Sequence, residues 1–105
     1  MASGKLGSVN LVADTDTLVY TVPAGKVSTV NIRVCNRNAS GIAISVAVGS
    51  GGSPATTDYI DYEASVPGYG ILEETAVVCS AGEKVWIRST LANVSVRIHG
   101  FEENV

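Results

Sequence analysis

Apolar and polar residues alternate with period two along most of this chain, most strictly around a Pro-Ala-Gly-Lys turn. Leu18, Tyr20 and Val22 precede the turn; Val30, Ile32 and Val34 follow it, interleaved with Asn31, Arg33 and Cys35. Successive side chains of an extended chain point to opposite faces, so the pattern predicts two half-buried strands joined by a β-corner. Upstream, Val9, Leu11 and Ala13 alternate ahead of the Asp14–Thr17 turn. Downstream, Ile42, Ile44, Val46 and Val48 alternate with small residues beyond the turn-forming stretch Asn36–Gly41. The strands on either side of that stretch are expected to form an antiparallel pair.

The Gly49–Pro54 segment reads as a protruding loop, since its glycines accept φ > 0 and Pro54 cannot join a ladder. Asp58–Glu63 resumes extended chain, and Ile71–Val78 follows as a strand whose register is blurred by the adjacent Ile71 and Leu72 and by Glu73 and Glu74. Val85 and Ile87 oppose Lys84, Trp86 and Arg88, and Val94, Val96 and Ile98 oppose Ser95, Arg97 and His99. Ala81-Gly82-Glu83-Lys84-Val85 echoes Ala24-Gly25-Lys26-Val27, which predicts a second corner of similar chemistry. No stretch holds a 3.6-residue apolar period. The chain is therefore expected to be all-β, an antiparallel β-sandwich of jelly-roll or Ig-like type with about eight short strands and little or no helix.

A length of 105 residues suits one domain. Residues 8–105 are expected to form the sandwich. Residues 1–7, polar and glycine-rich, are expected to be a flexible N-terminal arm that orders on docking. The core residues are chiefly Val, Ile, Leu and Ala, with one Trp and one Phe in the whole chain, as suits strands. A net charge of −3 with scattered Lys and Arg argues against nucleic acid as a partner. No apolar run approaches the roughly 20 residues that cross a bilayer as a helix, and the start lacks the apolar stretch of a secretory signal. No membrane partner is expected, and synthesis is expected in the cytosol. Cys35 and Cys79 read as free, half-buried thiols, with one disulfide as the alternative.

Little in the sequence suits catalysis. His99 is the only histidine and has no nucleophile signature around it. Asp14 with Asp16, and Asp61 with Glu63, are i,i+2 carboxylate pairs that could share a strand face or line a turn, and a calcium at the first pair is the metal reading they allow. No catalytic residue, cofactor-binding residue or metal ligand is expected, and no cofactor. Tyr59, Tyr62 and Trp86 suit either an interface or a sugar-stacking platform. Expected interface residues are Lys5, Leu6, Ser50, Pro54, Tyr59, Tyr62 and Trp86.

Leu18–Lys26, Val30–Arg37, Asp58-Tyr59-Ile60 and the closing Ala92-Asn93-Val94-Ser95 with Gly100-Phe101 resemble the small β-sandwich virion structural proteins of tailed bacteriophages, over nearly the whole chain. The resemblance rests on turn and strand chemistry and implies no active-site residues. It implies a non-catalytic virion protein made in the bacterial host cytoplasm, which docks on the major capsid or tail protein; the length of the chain favours the capsid decoration or cement type. A homo-oligomer is expected, with a trimer as one arrangement and an unpaired edge strand open to β-augmentation. The alternatives are a tail, neck or baseplate accessory protein, or a carbohydrate-binding or adhesin module.

Overall fold

A computed structural model describes residues 3–105 and contains eight strands: β1 Ser3–Leu11, β2 Thr17–Thr21, β3 Lys26–Asn36, β4 Ile42–Gly49, β5 Tyr59–Val66, β6 Ile71–Cys79, β7 Lys84–Ser89 and β8 Val94–Asn104. A single 3₁₀ turn, Thr56–Asp58, precedes β5 and is the one helical element described. The strands form two four-stranded antiparallel sheets in the orders β1-β8-β3-β6 and β2-β7-β4-β5. Nested pairs β1:β8, β2:β7, β3:β6 and β4:β5 describe one long hairpin rolled on itself, and rolling adds the β3:β8 and β4:β7 contacts. That order is the jelly roll, so of the two sandwich types the sequence allows, the Ig-like one is excluded.

The expected corners are where the chain changes sheet. Gly25 and Gly82 hold φ of 76° and 81°, a left-handed backbone that glycine takes without a Cβ penalty. The corners also clasp each other: the Val22 amide donates to Glu83 O at 2.8 Å and the Gly82 amide to Val22 O at 3.0 Å. The β3–β4 connection departs from expectation, because β3 and β4 lie in different sheets and do not pair. The buried Asn36 side chain explains this. It donates to Ser40 O and Pro67 O at 2.9 and 3.0 Å and accepts from the Asn38 amide at 2.9 Å, tying the turn to the β5–β6 loop and sending β4 across the sandwich.

Ile32, Val34, Ile44, Val46, Val85, Ile87, Val96 and Ile98 fill the space between the sheets. One polar bridge crosses that core. The Tyr20 hydroxyl of β2 donates to Glu102 Oε2 of β8 at 2.6 Å and lies 2.6 Å from Ser28 Oγ of β3. Since the tyrosine proton is committed to the carboxylate, Ser28 is the donor in the second bond. Burial first, then the bond to Glu102, pushes the Tyr20 hydroxyl up to about 12. Strand β8 therefore runs on past Gly100, beyond the last alternating apolar residue Ile98, and its added residues Phe101–Asn104 pair with β3, Phe101 also with β1. Ser3, Gly4 and Lys5 lie opposite Phe101, Gly100 and His99, so from Ser3 onward the expected arm is strand; its first two residues lie outside the described part.

Cys35 faces Ile71 and Cys79 faces Ser28, at opposite ends of the β3:β6 ladder. Seven strand positions at about 3.3 Å each hold them roughly 23 Å apart, far beyond disulfide reach. Both thiols are free, and burial first, then the Glu83 charge, pushes Cys79 up to about 11.

The β3:β8 and β4:β7 ladders run without a register shift, whereas every pairing that involves an edge strand is irregular, at β1, β2, β5 and β6 alike. Bulged edges resist further strand pairing. Such irregularity at all four edges works against the expected β-augmentation.

Candidate functional site

The outer face of the β2-β7-β4-β5 sheet is a row of side chains shaped by one irregular strand. Across its middle, Leu18, Trp86, Ala47 and Tyr59 lie side by side on β2, β7, β4 and β5. One row further on, Arg88 of β7 stands opposite Ser45 of β4. Beyond Ser45, β5 bulges. Glu63 adopts φ 48° and its amide donates to Ser45 Oγ at 3.0 Å. The bulge separates the expected Asp61 and Glu63 pair: Asp61 stands opposite the core residue Val46, while Glu63 turns to the outer face.

The result is a depression of about 310 Å³. Ala43, Ser45 and Arg88 form its floor, Asp14, Asp16 and Thr90 one wall, and Tyr59, Tyr62 and Glu63 the other. Asp14 also carries a left-handed backbone, φ 54°, and its amide is fixed to Ser89 O at 2.8 Å. Arg88 and Asp16 form a loose ion pair at 4.0 Å. Three carboxylates against one guanidinium leave the depression negative. Burial first, then the Asp16 charge, raises the Tyr59 hydroxyl above its ordinary value.

Tyr59 and Tyr62 pack edge to face, with ring centres 5.0 Å apart and planes at 78°. They form a ridge rather than an end wall. On its far side the same two rings, with Pro54 and Thr56, line a second depression of about 410 Å³.

Of the expected interface residues, Pro54, Tyr59 and Tyr62 come together here. Trp86 lies in the same cross-strand row as Tyr59, with Ala47 between them; its Nε1 is buried without an acceptor among the described residues, and it lines neither depression. Ser50 sits in the β4–β5 loop, where its carbonyl accepts from Lys84 Nζ at 3.2 Å. Lys5 and Leu6 belong to the other sheet, Lys5 beside His99 on the outer face and Leu6 at the β1 bulge against the core. His99 lies in mid-strand, half-buried, flanked by Lys5 and Asn31. Among the described residues no group of three His, Cys, Asp or Glu side chains is placed to hold a metal ion.

Arg88, Ser45 and Thr90 were not marked by the sequence as site residues. The outward phase of Arg88 on β7 was legible, but its meeting with Asp16 and Glu63 depends on the strand order β2-β7-β4-β5. No family model, curated protein or solved structure matches this chain.

Proposed function

We propose that this chain is a non-catalytic structural protein of a bacteriophage virion, a decoration or cement subunit that docks through the outer face of the β1-β8-β3-β6 sheet. The reading draws on the sequence resemblance and on the jelly roll, an architecture that recurs in viral capsid and lectin domains and carries function only by analogy. The observation that carries it lies on that face. Arg33 and Arg97 stand directly opposite each other on β3 and β8, an arrangement of like charges that is unfavourable in isolation. Glu73 accepts from Arg33 at 3.2 Å, but Arg97 has no acidic partner among the described residues. Lys5 and Arg37 add positive charge to the same face of a chain whose net charge is −3.

An apolar strip runs beside these charges. Phe101 and Val78 flank Thr29 in one cross-strand row and are 43% and 65% exposed. A partner surface with acidic and apolar patches would relieve the arginine repulsion and cover the strip. Each copy then needs only a modest contact, because a lattice of equivalent sites repeats it.

The test is quantitative mass spectrometry of purified particles together with binding of the chain to particles that lack it. Copies in the hundreds, as on a repeating lattice, and loss of attachment in Arg97→Glu and Phe101→Glu variants of unchanged melting temperature are the expected results. A few copies per particle would move the protein to the neck, tail or baseplate. Absence from particles would end the reading.

A further inference from the structure

We infer that the two depressions flanking the Tyr59–Tyr62 ridge form one groove that binds a neutral oligosaccharide, a function beyond docking and located on the opposite sheet. Each depression falls in the lower part of the size range of small-ligand sites, and they share both rings, so a linear ligand can straddle the ridge. An edge-to-face pair uses the face of only one ring. Tyr62, the more exposed ring, keeps surface free for the C–H faces of sugar rings, which the negative π face attracts.

The two sides differ in chemistry as a saccharide does. On one side Asp14, Asp16 and Glu63 accept hydrogen bonds from hydroxyls, and the Arg88 fork, held at 4.0 Å from Asp16, keeps donors available for them. On the other side Pro54 and Thr56 offer a mainly apolar bed. The carboxylate excess disfavours phosphorylated, sulfated or uronic-acid ligands. A proline-rich peptide would use the rings but leave the carboxylates without donors. Binding would cost little ordering at the polar end, since the Glu63 amide is tied to Ser45 and the Asp14 amide to Ser89.

The test uses the full chain on an array of neutral bacterial surface oligosaccharides, with titration calorimetry on hexasaccharides of glucose, galactose and N-acetylglucosamine. Saturable binding is expected, weakened at least tenfold in Tyr62→Ala and in Arg88→Ala, retained in Tyr62→Phe, and unchanged in Phe101→Ala on the other sheet. Tyr62 is 68% exposed, so its variants are expected to melt as the parent chain does, separating loss of ligand from loss of fold. No binding across the array and the hexasaccharides, binding indifferent to Tyr62→Ala, or preference for a proline-rich peptide would each overturn the inference. A chain that attaches to particles yet binds no sugar would overturn this inference alone; one that binds sugar but is absent from particles would overturn only the docking role.

Discussion

The central strands and the edge strands of this sandwich obey different rules. β3 and β8 pair through eleven consecutive positions, from Lys26 with Asn104 to Asn36 with Val94, without a slip. Each edge strand, by contrast, carries an extra residue somewhere along its ladder. A strand held on both sides has no freedom to shift register without moving its whole apolar set out of the core. A strand held on one side can buckle, and here the buckles do work: the β5 bulge aims Glu63 into the polar depression, and the irregular edges deter uncontrolled pairing. Stability is concentrated in the centre and specificity at the rim.

The same substitution at the two kinds of position gives the largest predicted contrast. Ile98 of β8 is fully buried, whereas Ile71 of β6 is about half exposed. Ile98→Ala removes core contacts and leaves a cavity, and is expected to cost about 2–5 kcal/mol; Ile71→Ala is expected to stay within about 0.5 kcal/mol. Urea denaturation of both variants measures the contrast, and equal losses would show that the edges bear as much of the fold as the centre.

That contrast also explains what the sequence revealed. Val30, Ile32 and Val34, or Val94, Val96 and Ile98, alternate strictly because pairing on both sides demands it, so the central strands were readable by period alone. The corner glycines at 25 and 82 were readable because a left-handed turn leaves its mark in composition. The continuation of β8 was hidden for a physical reason. Its inward residue beyond Gly100 is Glu102, a carboxylate satisfied by Tyr20 from the other sheet, and no apolar pattern can announce such a position. The β5 bulge was hidden because it is fixed by Ser45, a contact of tertiary origin. The site was therefore half legible. Tyr59, Tyr62, Pro54 and the carboxylates stood out by type, but their partner Arg88 emerged only with strand order.

The rim holds a second test in Asp61. This residue and Glu74 occupy inward positions on the edge strands β5 and β6, opposite Val46 and Ile32. Two ionised carboxylates can only accept, so Asp61 Oδ2 has no partner until one of them is protonated. Burial first, then the bond to Glu74 and its charge, pushes the Asp61 carboxyl from 3.8 up to about 6. The folded chain thus holds this proton more tightly than the unfolded one. Its stabilising contribution is fully present below about 3.8 and is lost as pH rises through about 6. Asp61→Asn is expected to stabilise the fold at pH 7 by about 1 kcal/mol, after allowance for solvent screening at a half-buried site, and to lose that advantage by pH 4. Denaturation curves at both pH values decide it, and an effect independent of pH would show that the pair does not share a proton.

The smallest effect addresses the buckles themselves. Ala76, in the β6 irregularity, has φ 54°, a conformation costing an L-residue roughly 1–2 kcal/mol that glycine does not bear. Glycine loses more chain entropy on folding, by roughly 0.5–1 kcal/mol, so the two terms largely offset. The strain term is the larger, and Ala76→Gly is expected to raise stability by about 0.5 kcal/mol, visible as a melting-temperature rise of a few degrees. The bond from the Ala76 amide to Asn31 Oδ1, 3.0 Å, involves backbone only on the β6 side and survives the change. A loss of about 1 kcal/mol, the ordinary cost of glycine within a regular element, would mean that the edge strand bears no strain there and that its bulge is as tightly specified as the central ladders.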